Sequence, residues 1–271
     1  MLGGGGLTGI AWEIGVFKGL RDLGVDLGTA DLIVGTSAGS VVGALIATGV
    51  DLDDLLANEA PSEELGADFD PEQMVTAISA LTQGTQSLQE LRARIGAMAT
   101  AAQTVSEEDR LAIIASRLPR HDWPERRLLI TGVDTADGEF AVWDKDTGVP
   151  LVLAVAASCA VPGIWPPVTI DGRRYMDGGV RSTNNADLAA GHDPVVILAP
   201  YTIGLSGSLD DEIEALGNAS VVIVTPDQLA LEAIGPNPLD PSRRAMALDA
   251  GLSQANKECG RVREAWGQEP R

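Results

Sequence analysis

Residues 31–46 read DLIVGTSAGSVVGALI, and this stretch decides the fold that the sequence predicts. Its apolar start is typical of a buried strand, and the apolar residues after the glycines continue at helical spacing. Between them, Gly35-Thr36-Ser37-Ala38-Gly39 matches G-x-S-x-G at the strand-to-helix turn where a nucleophile elbow occurs. The following helix would aim its first N–H groups at charge developing on Ser37. A purely structural turn needs the same small residues, so the motif alone leaves both interpretations open.

A glycine-rich loop, GGGGLTG at residues 3–9, precedes the first predicted helix. Bare backbone at such a place forms a nest of N–H donors for a phosphate or an oxyanion. The pattern G-x-G-x-x-G through Gly4, Gly6 and Gly9 also raises a dinucleotide site. However, the next strand runs directly into the serine turn, and no acidic residue stands at a strand end to bind a ribose. An oxyanion-binding loop therefore fits better.

The rest of the chain alternates between helical and strand patterns. We expect a first helix at 9–23, with Glu13 facing away from the core, and a helical region at 51–127. A long C-terminal packing helix is expected from Asp240 onward, and it should bury Cys259. The further strands are predicted at 128–133, 140–143, 195–198 and 221–224. Within the helical region, Phe69 and Met74 are placed as a hydrophobic staple and Ser106 as a helix cap. This alternation favours an α/β layered domain with a mainly parallel sheet.

The composition excludes several classes of function. The chain has 39 acidic and 19 basic side chains, and a net charge of −20 opposes nucleic-acid binding. Two cysteines and two histidines form neither a disulfide framework nor a histidine metal cluster. The N-terminal residues show no secretory signal pattern. The uncharged stretches 32–50 and 147–170 are not expected to span a membrane, because glycine, serine and proline residues interrupt them. A cytoplasmic protein, peripheral to a membrane at most, is expected.

A serine nucleophile needs a base, and the sequence offers two kinds. Asp177, followed by Gly178 and Gly179, is one candidate. The order Ser37, Asp177, His192 also matches the order of a hydrolase triad. The residues around His192, like those around His121, are typical of surface turns. Both kinds of base stay open on the residues alone.

Four blocks in this order closely resemble the patatin-like phospholipase family: GGGGLTG at 3–9, GTSAG at 35–39, ASCAVPGIWPPV at 157–168 and YMDGG at 175–179. The resemblance implies a three-layer α/β/α fold with a mainly parallel central sheet, formed by one domain over 1–271 with a helical cap at about 51–127. It further implies a Ser-Asp dyad of Ser37 and Asp177, with backbone N–H groups of Gly4, Gly5 and Gly6 as the oxyanion hole. Gly35 and Gly39 would shape the elbow. No cofactor or metal is expected.

Two departures from the family pattern stand out. The family often has a basic residue where this chain has Thr8. Only Met1 and Leu2 precede the glycine loop, where family members have a strand, and a central strand usually needs about five residues. We therefore expect the native chain to begin upstream of Met1.

The resemblance implies hydrolysis of phospholipid or other carboxylic esters through an acyl-enzyme. An acyltransferase that passes the same acyl group to an alcohol or thiol, and a lipid-binding protein without turnover, are the alternatives. Apolar residues of the helical region are expected to accommodate acyl chains: Met74, Ile78, Leu81, Leu88, Leu91 and Ile95.

Other polar residues near these blocks are given structural roles. Arg173 and Arg174 could contact a substrate phosphate, but an ion pair or solvated turn is favoured. Ser158 and Cys159 are interpreted as packing residues. The acidic surface limits any membrane contact to a transient one.

Overall fold

The computed structural model describes residues 1–57, 71–202 and 209–267. The helices are α1 Gly6–Asp22, α2 Ala38–Ala47, α3 Leu52–Ala57, α4 Pro71–Leu81, α5 Leu88–Ala101, α6 Glu107–Arg117, α7 Leu151–Ser158, α8 Leu209–Ala215, α9 Gln228–Ile234 and α10 Arg244–Trp266. The strands are β1 Leu32–Gly35, β2 Arg127–Asp134, β3 Phe140–Trp143, β4 Val168–Ile170, β5 Arg173–Asp177, β6 Val195–Leu198 and β7 Val221–Val224. The chain is thus a mixed α/β protein, as the alternating patterns predict.

The central sheet is mixed in direction. β1 pairs in parallel with β2, and β6 pairs in parallel with β7. β2 pairs antiparallel with both β3 and β5, and β4 pairs antiparallel with β5. Pairing is thus parallel at β1, β2, β6 and β7 and antiparallel at β3, β4 and β5, and the mainly parallel sheet stays an expectation.

Residues 1–3 join the two groups of strands. Leu2 N–H donates to Val34 O at 2.9 Å, and Thr36 N–H donates to Leu2 O at 3.0 Å. On the other side, Gly3 N–H donates to Leu198 O at 3.0 Å. This short segment runs parallel to both neighbours, so it leaves the sheet at the edge where β1 ends. The glycine loop consequently starts next to the serine turn.

Helices α1 and α10 pack with their backbones in direct contact. A Cβ atom on Gly15 would lie 2.3 Å from Leu248 O, and one on Gly251 would lie 2.3 Å from Trp12 O. Both distances are far below a van der Waals contact, so the crossing requires glycine on each helix. The long C-terminal helix predicted from its apolar spacing is confirmed, and Cys259 is buried in it.

The predicted hairpin of β2 and β3 is confirmed, and the first helix begins three residues earlier than expected. The α7 helix and the β4–β5 hairpin were not predicted. No helix within the described ranges combines the length and apolarity needed to cross a membrane.

Helices α3 to α6 lie in the described part of residues 51–117, and a loop at 118–126 leads into β2. The role of this region as a cap stays a prediction. Ser106 caps α6 as predicted, accepting the Asp109 N–H at 3.0 Å, whereas Phe69 of the predicted staple lies outside the described residues. Ile78, Leu91 and Ile95 pack with sheet and loop residues in a buried cluster. They are core residues, not the lining of an open acyl channel, and Leu88 is exposed.

The α1–α10 crossing gives a stability prediction. Gly251→Ala should lower the free energy of unfolding by about 1–3 kcal/mol, because the new methyl group must separate the two helices. Gly260→Ala is the matched control on the same helix, since nothing lies within 4 Å of its added Cβ. It should be neutral or stabilise by up to about 1 kcal/mol through helix propensity. Equal effects of the two changes in urea unfolding would contradict the close crossing.

Candidate active site

Ser37 sits in a strained elbow between β1 and α2. Its φ of 52° and ψ of −117° are rare for a residue with a side chain. A Cβ on Gly35 would lie 2.4 Å from Gly39 O, and a Cβ on Gly39 would lie 2.1 Å from Leu2 O. Both flanking glycines are therefore required by the close approach of backbone on either side of the serine.

The end of α7 holds this elbow in place. Ser37 N–H donates to Ser158 Oγ at 2.9 Å, and Cys159 Sγ donates to Ser37 O at 3.2 Å. Ser40 Oγ donates to the same carbonyl at 2.6 Å. The sequence predicts only packing roles for Ser158 and Cys159, whereas in the structure both hydrogen-bond the backbone of the serine itself. The sequence feature that could have indicated this role is the hydroxyl of Ser158 within an apolar run, because a buried polar group requires a hydrogen-bond partner.

Strand β2 brings Asp177 to the serine. Gly35 at the end of β1 pairs with Ile130, and Asp177 at the end of β5 pairs with Gly132. The ends of β1 and β5 therefore flank β2 at positions only two residues apart along it. Asp177 is 5% exposed, and its Oδ1 accepts the Gly179 N–H at 2.7 Å. The structure thus places the two predicted dyad residues side by side.

The burial of Asp177 changes its acidity. Desolvation raises the pKa of this carboxyl to about 7, opposed by hydrogen bonding from the Ser37 hydroxyl and from Gly179 N–H. The Ser37 contact is loose, because Oδ2 lacks a partner at full hydrogen-bond geometry among the described residues. Such catalytic contacts are commonly long before substrate binds.

A second polar contact beneath the dyad was not predicted. The hydroxyls of Thr36 and Thr131 share a hydrogen bond of 3.0 Å, and Asn185 Nδ2 donates to Thr36 Oγ1 at 3.0 Å. Asn185 adopts a left-handed conformation with φ 48°. These bonds tie β1, β2 and the loop after β5 together below the serine.

The glycine loop lies beside Ser37, with only some of its donors unused. A Cβ on Gly4 would be 3.6 Å from Ser37 Cβ. Gly4 N–H, however, donates to Thr183 O at 2.8 Å. The N–H groups of Gly5 and Gly6 have no partner within the described part of the chain, and the same holds for Ala38 at the start of α2. Ala38 was not named as a donor from the sequence.

Glu13 corrects one prediction. It was expected to face away from the core, but it is fully buried, and its Oε1 accepts the Gly3 N–H at 2.9 Å. Desolvation raises the pKa of its carboxyl well above the ordinary value. The helix pattern was misleading because residues 7–17 of α1 are all buried, so this part of the helix has no exposed face, whereas Lys18 and Asp22 lie beyond it.

The space at the serine is small. A cavity of about 20 Å³, enough for one water molecule, is bordered by Ser37, Ala38 and Gly6 together with Arg110, Arg117 and Trp165. The Arg110 guanidinium carbon lies 4.0 Å from the centre of the Trp165 ring. No sequence pattern had indicated Arg110 or Arg117.

The other candidate residues lie elsewhere. His192 precedes β6 and borders a separate cavity of about 430 Å³, which Ser37 does not line. The strands flanking segment 1–3 are parallel to it, so the start of β6 is at the sheet edge opposite to Ser37. His121 is exposed, and Arg173 pairs with Asp134 and Asp137 in the structural role that was favoured.

Comparisons with known proteins agree with the four sequence blocks. A family model described as patatin-like phospholipase matches residues 1–190. The chain is 30% identical over 181 residues to an uncharacterized NTE family protein of Mycobacterium tuberculosis (strain CDC 1551 / Oshkosh), covering 66% of this chain. It spans only 26% of that relative's length.

Two solved structures are similar to the chain. The type III effector protein ExoU has a TM-score of 0.46 at 18% identity, covering 98% of this chain and 53% of that one. VipD from Legionella pneumophila has a TM-score of 0.47 at 13% identity, covering 96% of this chain and 66% of that one.

The raised pKa of Asp177 predicts a pH-dependent stability change. In the unfolded chain this carboxyl ionises near 3.8, and in the folded protein at about 7, so its stabilising contribution is lost as pH rises through about 7. Asp177→Asn cannot ionise, and its advantage over the wild type should grow by roughly 2 kcal/mol between pH 5 and pH 8. Urea unfolding at both pH values measures this. Asp122→Asn, at an exposed aspartate, is the control, and parallel curves for Asp177→Asn and wild type would contradict the buried ionisation.

Proposed function

Because the chain belongs to the patatin-like phospholipase family, we propose that it is a lipid ester hydrolase with Ser37 as nucleophile and Asp177 as base. One observation carries the proposal: a serine in a strained elbow lies beside a buried carboxyl whose pKa is about 7. The substrate class is phospholipid or another acyl ester. His192, which the structure places at the other edge of the sheet, has no part in the reaction.

The proposed reaction has two halves. In the first, ionised Asp177 accepts the Ser37 hydroxyl proton while Oγ forms a bond to the ester carbonyl carbon. The tetrahedral intermediate collapses, the proton passes to the departing alcohol, and an acyl-serine ester is left. In the second half, Asp177 takes a proton from water, whose oxygen attacks the acyl group, and the proton returns to Ser37 as the acid leaves.

Backbone donors would stabilise the oxyanion of both intermediates. Gly5 and Gly6 of the predicted hole, with Ala38 at the start of α2, have N–H groups available without breaking an existing bond. Gly4 N–H would first have to leave Thr183 O. One such donor is typically worth about 3 kcal/mol of transition-state stabilisation. We therefore assign the oxyanion hole to Gly5, Gly6 and Ala38 rather than to Gly4.

The wider arrangement follows the family expectation. We propose a three-layer α/β/α order, supported by α1 and α10 packing together and by α7 packing on β2 and β5. Residues 51–127 would act as the cap, supported by α6, whose arginines border the cavity at Ser37. The protein would be cytoplasmic, and its net charge of −20 would limit membrane contact to a transient one, because it repels anionic headgroups.

Covalent labelling tests the nucleophile. A fluorophosphonate probe should label the wild type and His192→Ala, but not Ser37→Ala, and Asp177→Ala should slow labelling at least a hundredfold. Intact-mass spectrometry measures the adduct, and hydrolysis of a short-chain ester should follow the same order. Activity that survives Asp177→Ala but disappears in His192→Ala would replace the dyad with a triad.

The base predicts the acid limb of the pH profile. Only ionised Asp177 can accept a proton, so kcat/KM should rise about tenfold per pH unit below pH 7 and level off above it. Initial rates between pH 5 and pH 9 on a substrate without ionisable groups measure this limb. A profile already flat at pH 5 would mean that an ordinary, solvated carboxylate acts as the base.

A further inference from the structure

Three consecutive residues at the C-terminal end of α7 contact the backbone of both proposed dyad residues. Ser158 Oγ accepts the Ser37 N–H at 2.9 Å, and Cys159 Sγ donates to Ser37 O at 3.2 Å. The next residue, Ala160, accepts the Asp177 N–H on its carbonyl oxygen at 3.0 Å. These three residues, the α7 bridge, therefore join the proposed nucleophile to the proposed base.

The sheet does not join these two residues directly. Ser37 follows β1, Asp177 ends β5, and β2 lies between the two strands. A change in the twist of β2 would therefore shift the serine relative to the carboxyl. The α7 bridge spans the same gap, and each of its residues is at most 6% exposed. It is held in place by α7, which packs on β2, β4 and β5.

Ser158 is the residue of the α7 bridge whose loss matters most. Ser37 O has two further donors, the N–H and the hydroxyl of Ser40, so that carbonyl stays paired without Cys159. Ser37 N–H, by contrast, has Ser158 Oγ as its one acceptor within the described part of the chain. A buried N–H without an acceptor is costly, so loss of this oxygen would favour rotation of the peptide group.

Backbone strain at Ser37 makes this hydrogen bond important for geometry. A φ of 52° is unfavourable for a residue with a side chain and persists only while surrounding contacts hold it. If the peptide group rotated, Ser37 Oγ would move relative to Asp177, because the side chain follows the backbone. A displacement of about 1 Å at a reacting group can lower a rate about a hundredfold. Ser158 is completely buried and does not border the cavity at Ser37, so it does not touch the substrate.

We propose that Ser158 is a positioning residue of the reaction, which acts through the Ser37 N–H to hold the serine hydroxyl within reach of Asp177. The inference rests on the proposed ester hydrolysis. Its signature is a loss of turnover without a loss of substrate binding, because Ser158 acts on the reacting atoms and not on the substrate. A purely structural role would lower stability and leave kcat of the folded protein unchanged.

Three substitutions at Ser158 test this role, with p-nitrophenyl butyrate as a soluble substrate. Ser158→Ala should lower kcat about ten- to a hundredfold and change KM less than about threefold. Ser158→Thr and Ser158→Val add the same bulk to the buried position, but only threonine keeps an oxygen that accepts the Ser37 N–H. The first of this pair should therefore retain at least about ten times the kcat of the second.

Val262→Ala is the control for lost stability. Val262 is completely buried in α10, and the adjacent Arg263 donates to Leu23 O at 2.6 Å, at the end of α1 far from the glycine loop. Truncation of this core side chain should lower the melting temperature, as Ser158→Ala also should, while kcat stays within about twofold of the wild type. Thermal unfolding of every variant supplies the melting temperatures for this comparison.

The pH profile gives a second readout. Desolvation raises the pKa of Asp177, and the Ser37 hydroxyl, the Gly179 N–H and Arg110 oppose that effect. Of these groups, only the Ser37 hydroxyl is displaced in Ser158→Ala. The pKa of Asp177 should therefore rise further, and the acid limb of kcat/KM should move to higher pH. Val262→Ala should keep this limb at its wild-type position.

The outcomes separate the positioning role from the enzyme activity. Equal kcat values for Ser158→Thr and Ser158→Val, or a KM that rises while kcat is unchanged, would overturn the role of Ser158 and leave the hydrolase intact. A loss of kcat in Val262→Ala as large as that in Ser158→Ala would do the same. If Ser158→Ala does not fold, the threonine and valine variants decide. A wild type that hydrolyses no ester and takes no label at Ser37 would remove the proposed function itself.

Discussion

The backbone hydrogen bonds of residues 1–3 are the constraint on which the rest of the structure depends. This segment accepts and donates backbone hydrogen bonds on both sides, with β1 on one and with β6 on the other. Without it the strands would form two separate groups. Backbone groups inside a protein must be paired, so the sheet fixes the direction in which the segment leaves it. That direction delivers the glycine loop to Ser37 and starts α1 at Gly6. The same helix carries Glu13, whose carboxylate accepts the Gly3 N–H and so helps to hold Gly3 in place.

The site is organised by burial and strain together. The elbow at Ser37 is held in an unfavourable backbone conformation by Ser158, Ser40 and Cys159, and the glycines at 35 and 39 allow the neighbouring backbone to close around it. Asp177 is kept out of water at the end of β5, which makes it a stronger base than a solvated aspartate. Both features destabilise the folded chain locally and are compensated by the packing of the sheet and of α1 on α10. Strain and desolvation of this kind are typical of a site prepared for chemistry.

The parts of this fold that could be predicted depend on local sequence. The strand and helix within residues 31–46, the hairpin at Asp137 and Gly138, and the apolar stripe of α10 all follow from spacing and turn residues. The resemblance of four blocks to a family then singled out Ser37 and Asp177. The β4–β5 hairpin was missed because its strands are short and prolines precede them.

The remaining features depend on contacts between distant residues. Burial of Glu13 depends on segment 1–3, whose Gly3 N–H donates to its carboxylate, and the occupation of Gly4 N–H requires Thr183, far along the chain. The apolar residues of the helical region have the same spacing whether they line a channel or fill a core. In the structure they pack against Val133 and Met176 of the sheet, so they belong to the core. Segment 1–3 also imposes an order on folding. On one side the segment pairs with β1, which is near in the sequence, but on the other side Met1 and Val196 share a hydrogen bond across 195 positions. This second side can therefore be paired only after β6 is present. A nascent chain that ends before β6 would therefore contain Ser37, Asp177 and the Ala38 N–H, but only one side of the pairing that places the glycine loop. The loop donors would then be the last part of the site to take their position.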